Sequence, residues 1–150
     1  MTGLIVLIVA LAAATAIGLY RKATDGRARA AAGPRAPRLT AATLGVGLGA
    51  TRTFVQFSSA VCTPCRRTRS LLEAVTAERS DVAYVDLDAE HRLDLVEKFG
   101  ILRTPTVLVL DAEGTLVQRI VGQPRRSDVL ELLDPAQPLT SSEPAELGAR

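Results

Sequence analysis

The strongest constraint on this chain lies in Leu4 to Tyr20, a run with no charge and almost no polar side chain. At about 1.5 Å per residue, a helix over residues 3–20 is about 27 Å long, just enough to cross a bilayer core. Its many alanines make it only moderately hydrophobic, which fits a single span and not a long tilted one. A cleaved signal peptide is the competing reading. Such a leader carries positive charge ahead of its apolar stretch, and Met1-Thr2-Gly3 supplies none. The charge follows instead, at Arg21, Lys22, Arg27, Arg29, Arg35 and Arg38. A retained transmembrane anchor over residues 3–20 is therefore expected, in the cell membrane as a single pass. Basic residues flanking a span tend to stay on the cytoplasmic side, which puts the C-terminal domain inside the cell. An extracytoplasmic domain stays open.

Residues 21–50 read as a basic Pro/Gly linker whose charge suits anionic headgroups. Its last part, 39–50, has the residues for a short helical turn and a glycine-rich approach to a strand. Beyond it the elements alternate. Thr53 to Phe57 is a strand by its β-branched and aromatic content. Helical spacing runs from Pro64 to Glu78, with Leu71, Leu72 and Val75 on one face. Val82 to Leu87 is a second strand. Residues 91–99 form a short helix with Leu93, Val96 and Phe99 inward, and Gly100 stops it. Thr106 to Leu110, almost wholly apolar, is a central strand. Asp111 to Gly114 turns a hairpin into a fourth strand, Thr115 to Val121. Residues 125–133 give a last helix through Val129, Leu130 and Leu133. The tail, 135–150, is expected to be disordered. The order β-α-β-α-β-β-α predicts an α/β fold over 51–134, a mixed four-stranded sheet with helices on both faces.

A formal charge of +2 supports no strong claim of an acidic partner, and 3% aromatic content without tryptophan speaks against base stacking. No nucleic-acid partner is expected. The two cysteines, Cys62 and Cys65, are the only ones, three positions apart. A bridge across two residues closes too small a loop to constrain the unfolded chain much, so the pair is there for chemistry or for metal. Two ligands of a zinc site look the same. Zinc wants about four donors, however, and the only histidine, His91, lies in a different loop. That leaves a metal shared between two chains as the alternative.

The local setting favours redox chemistry. Pro64 suits the first turn of a helix, so Cys62 sits at or just before a helix N-terminus. The free N–H groups there favour the thiolate, the form that attacks disulfides. Cys62 would attack a partner disulfide and Cys65, one turn further in, would resolve the mixed disulfide. Arg66, Arg67 and Arg69 follow the motif; a nearby guanidinium favours the thiolate further, while a solvated basic face is the simpler reading of each. Asp86, Asp88 and Glu90 close the second strand; cation binding is one reading of such a run, and carboxylates simply facing water is the simpler one. His91 reads as a surface residue.

Cys62-Thr63-Pro64-Cys65, Phe57 at the strand end and Phe99-Gly100-Ile101 belong to one pattern with Thr104-Pro105-Thr106, Gly114 and Gly122. Together they resemble the thioredoxin family over residues 51–134. The resemblance implies a protein-disulfide oxidoreductase with Cys62 as nucleophile and Cys65 as resolving cysteine. It implies a cis peptide bond before Pro105, and substrate contacts from Thr104, Pro105, Thr63 and Pro64. Protein disulfides or dithiols are then the substrates, the protein is a monomer, and no cofactor is expected, since no nucleotide, haem or hydrolase motif occurs. Two other readings stand beside it: a docking module that binds partner peptides at the Pro105 groove without catalysis, and an extracytoplasmic thiol reductase of the cytochrome-assembly type.

The chain departs from the family pattern at four positions. Val61 replaces the usual aromatic before the first cysteine, and Thr63 stands where glycine is frequent. Gln56 occupies the position of a buried acid, with Tyr84 where that acid's lysine partner would lie. Glutamine cannot take a proton from Cys65 as a carboxylate can, so slower resolution and a narrow partner set are expected.

Overall fold

The computed structural model describes residues 2–24, 28–30 and 37–133. The apolar run is helical as α1, Thr2–Thr24. It continues past residue 20 because Arg and Lys are themselves good helix formers. Among the described residues α1 is the one helix long and apolar enough to cross a membrane, by length and composition, and none of its Gly3–Tyr20 stretch is buried in the protein.

The remaining elements are β1 (Ala28–Ala30), α2 (Ala41–Leu44), β2 (Arg52–Ser58), α3 (Thr63–Ala77) and β3 (Val82–Asp88). They continue with α4 (Leu93–Lys98), β4 (Thr106–Leu110), β5 (Leu116–Val121) and α5 (Arg126–Glu131). The four expected strands pair as β5-β4-β2-β3, with only β2 and β3 parallel. β4 is central and buried along its whole length, as its unbroken apolar sequence requires. On one face of the sheet Phe54, Val107, Val109 and Ile120 pack with Leu72 and Val75 of α3 and Val129 of α5. On the other, Val55, Phe57, Leu108 and Leu110 pack with Leu44 of α2 and with Leu95 and Phe99 around α4. Period-two alternation along β2 thus feeds both cores.

Three expectations change. The segment expected as linker is partly folded: β1 adds a fifth strand by pairing antiparallel with β5, and Leu39 is fully buried. Leu39 N–H bonds to the Gly114 carbonyl at 2.9 Å, and Leu116 N–H to the Pro37 carbonyl at 3.2 Å, so 37–39 is stitched to the hairpin. This close approach requires Gly114: its φ is +75°, and a Cβ would collide with the Leu39 carbonyl. Backbone pairing of this kind leaves no side-chain period to read. The phase of α4 is also different. Leu93 is 65% exposed and Leu95 is 2% exposed. The helix begins at Leu93, so its inward stripe is set by Leu95 and Phe99, four residues apart. In the last helix Leu130 points outward, because Val129, Leu132 and Leu133 make the i, i+3, i+4 stripe. The tail expected over 135–150 lies outside the described residues.

The α4 phase has a direct consequence for stability. Leu95→Ala should cost about 2–4 kcal/mol, the range for emptying a buried leucine site. Leu93→Ala should stay within about 0.5 kcal/mol, as surface substitutions do. Chemical denaturation of the full chain in detergent measures both, and the reverse order would restore the phase read from sequence.

Candidate active site

β2 ends at Ser58, and Ser59 to Val61 carries the chain to the start of α3. Cys62 is the N-cap of that helix, with extended backbone (φ −89°, ψ 99°), and Pro64 lies in the first turn. A cap side chain normally accepts a backbone N–H with an oxygen. Here the Cys62 sulfur does so, accepting from Cys65 N–H at 3.1 Å. The Cys62 N–H in turn donates to the Ser59 carbonyl at 3.2 Å, fixing the loop. Cys62 and Cys65 are joined by a disulfide, their Cα atoms 5.2 Å apart. Cys62 is half-buried, whereas Cys65 is 2% exposed. The outer sulfur is therefore reachable and the inner one is not.

The residues expected to bind substrate lie on two segments, the first turn of α3 and the loop before β4. Thr63 and Pro64 are exposed on the first turn of α3. The Thr104–Pro105 peptide bond is cis. Thr104 is half-buried and its hydroxyl lies 3.3 Å from that of Ser59, which ties the Pro105 loop to the loop before Cys62. Pro105 is buried, and its carbonyl accepts from Gly122 N–H at 2.8 Å. Thr106 closes the same turn through its hydroxyl, which donates to the Arg103 carbonyl at 2.7 Å.

Beneath the disulfide is a neutral polar link. Gln56, fully buried on β2, donates its amide N–H to the Cys65 carbonyl at 3.0 Å. The Tyr84 hydroxyl donates to the Gln56 carbonyl oxygen at 3.0 Å. Both ends of the amide are thus satisfied without a charge. Burial, and then the charge of Asp86, hold the Tyr84 phenol well above its ordinary pKa of 10.0, with Arg69 offsetting part of the effect.

Sequence reasoning missed the setting of Asp86. It placed Asp86 in the second strand but grouped it with Asp88 and Glu90 as carboxylates facing water, whereas Asp86 is in register with Gln56 across the parallel pairing. Its side chain forms an ion pair with Arg69. Both residues line a cleft of about 330 Å³, together with Ser58, Cys62, Cys65 and Arg66. The available signal was the alternation Val82, Tyr84, Asp86, which puts all three on the face that carries α3. Of the other basic residues, Arg66 donates to the Thr63 hydroxyl at 3.2 Å, and Arg67 is exposed. His91 is a surface residue whose Nδ1 lies 3.1 Å from a carboxylate oxygen of Asp88. No group of three or more His, Cys, Asp or Glu side chains able to hold a metal occurs among the described residues.

A family model described as Thioredoxin matches residues 46–134. Thioredoxin H2 of Arabidopsis thaliana is 34% identical over 77 residues, covering 51% of this chain and 56% of that protein. The chain thus spans little more than half the length of that relative. A thioredoxin of Mycolicibacterium smegmatis is 31% identical over 86 residues, covering 55% of this chain and 76% of that one. Among solved structures, thioredoxin NaTrxh from Nicotiana alata superposes with a TM-score of 0.50 at 28% identity, over 55% of this chain and 70% of that one.

The Tyr84 environment gives a pH test. The unfolded chain ionises tyrosine near about pH 10, while the folded site resists ionisation, so folding stability should fall as pH rises from about 10. In a Tyr20→Phe background, absorbance titration should show Tyr84 still neutral at about pH 11 in the folded protein. Ionisation at about pH 10 would mean that the phenol is not held as described.

Proposed function

The chain belongs to the thioredoxin family, and from that premise we propose that it is a membrane-tethered thiol–disulfide oxidoreductase exchanging electrons with partner proteins. One observation carries the reading: the half-exposed Cys62 sulfur caps α3 and is bonded to a buried cysteine one turn inside. A sulfur at that point gains most from the helix N-terminus when it is a thiolate. Cys62 is then the nucleophile and Cys65 the resolving cysteine. In the reducing direction, the Cys62 thiolate attacks one sulfur of a partner disulfide and the other sulfur leaves as a thiolate. Cys65 next attacks Cys62 and releases the partner as a dithiol, so two electrons pass to the partner and the Cys62–Cys65 disulfide forms.

Thr63 and Pro64 on the helix rim and Thr104 with Pro105 on the facing loop are the proposed contacts for an extended partner segment. Val61 and Leu102, each more than 90% exposed, border the same region and offer it apolar surface. Tethering rests on α1 and on the basic residues after it, which favour a cytoplasmic domain. With three residues separating α1 from β1, the domain is held close to the membrane, so its partners are membrane proteins or proteins that work at the membrane surface. The domain acts as a monomer in this scheme.

Two variants and one label test it. Cys62→Ser should lower disulfide reduction by at least about 100-fold, because the nucleophile is gone. Cys65→Ser should accumulate the mixed disulfide with its partner in membranes. An impermeant thiol reagent should leave reduced Cys62 untouched in intact cells and label it after permeabilisation. Unchanged cellular function in Cys62→Ser would favour the docking module, and labelling in intact cells would turn the domain outward.

A further inference from the structure

The position that carries the family's buried acid holds Gln56 here, and the amide is fully engaged by the Cys65 carbonyl and the Tyr84 hydroxyl. Gln56 accepts no proton in the resolving step. The carboxylate nearest in the sheet is Asp86, directly across from it in the β2–β3 register. One oxygen of Asp86, Oδ2, is held by Arg69. The other, Oδ1, is buried and has no hydrogen-bond partner among the described residues. A buried acceptor left unsatisfied costs about 1–3 kcal/mol, more when charged, so a native orphan calls for an explanation. The cleft that Asp86 lines also holds both cysteines.

We propose that Asp86 is the base that takes the proton from Cys65 during resolution, so that this chain carries its acid on β3 instead of β2. The inference rests on the oxidoreductase reading above. In the disulfide form the Cys65 sulfur has no proton to give, and Oδ1 stands without a donor. After reduction the Cys65 thiol becomes that donor, directly or across one water, for which the cleft has room. Asp86 carboxylate accepts the Cys65 proton, and the Cys65 sulfur bonds to the Cys62 sulfur. The bond from Cys62 to the partner breaks with its electron pair on the partner sulfur, which leaves as a thiolate. Asp86, now a carboxylic acid, returns its proton to that thiolate or to water.

Arg69 holds the carboxylate through Oδ2 and leaves Oδ1 without a partner among the described residues. The charged and titratable groups around the acid are Arg66 and Arg69 on α3 and Tyr84 and Asp88 on β3. Asp88 is already committed, one oxygen accepting from Glu90 N–H at 2.9 Å and the other facing His91. Asp86 alone among these carboxylates has a buried oxygen free to accept.

The test separates the two chemical steps in the full chain in detergent, with oxidised glutathione as the partner disulfide. In Asp86→Asn, closure of the Cys62–glutathione mixed disulfide by Cys65 should slow by about 10- to 100-fold. Alkylation of Cys62 by iodoacetamide, read in a Cys65→Ser background, should stay within about twofold, since attack by Cys62 uses no base on β3. Adding Gln56→Asp should restore the closure rate. Closure at the native rate in Asp86→Asn, or an equal loss in both steps, overturns the proposal. Should that variant not fold, Gln56→Asp in the otherwise native chain decides. A rate within about threefold of native means that a base is already present, and an acceleration of at least about tenfold means that none was, which overturns the proposal. Failure of the native chain to form any mixed disulfide would instead sink the oxidoreductase reading.

Discussion

A sulfur caps a helix in this protein, and the rest of the domain is arranged to keep it there. Cys62 takes the place that a serine or aspartate oxygen holds at other helix N-termini, accepting the Cys65 N–H at 3.1 Å. That contact ties three things together: the direction of α3, the exposure of one sulfur and the burial of the other. A 15-residue helix behind it gives the cap a field that favours negative charge. The helix is fixed from below by Leu72 and Val75 against the sheet, and the loop ahead of it is held by Ser59. Displacement of β2 or of the Thr104–Pro105 loop would shift the sulfur relative to an incoming disulfide.

The polar groups under the cap divide the work between neutral and charged partners. Gln56 and Tyr84 satisfy each other and the Cys65 carbonyl without carrying charge into the interior. This is the inexpensive way to bury polar atoms, because each donor meets an acceptor and no ion loses its water. The charge is kept one strand over, on Asp86, where Arg69 balances it and the cleft keeps it in contact with solvent. A carboxylate placed at the rim of the site is more easily hydrated than one placed beneath it.

Much of this was legible in the residues. The unbroken apolar sequence of β4 identified the centre of the sheet, and Cys62-Thr63-Pro64-Cys65 between a strand and a helix placed the cysteine pair at the head of α3. The cis bond before Pro105 followed from family resemblance and not from periodicity. What stayed hidden had specific causes. β1 is three residues long and paired through its backbone, so no alternation marks it. Leu93 and Leu95 are both apolar, and the start of a six-residue helix decides which one is buried. Asp86 already lay inside the expected strand Val82 to Leu87, but it was read as facing water because its alternation with Tyr84 was not carried through. In each case the missing information was a register or a boundary, which side-chain composition does not encode.

The most direct measurement is the reduction potential of Cys62–Cys65 in the full, detergent-solubilised chain, equilibrated against glutathione buffers. A working dithiol at a helix N-terminus should titrate reversibly with two electrons, at a potential between about −270 and −120 mV. A potential below about −300 mV, the range of structural disulfides, or no reversible bond at any poise, would contradict the account.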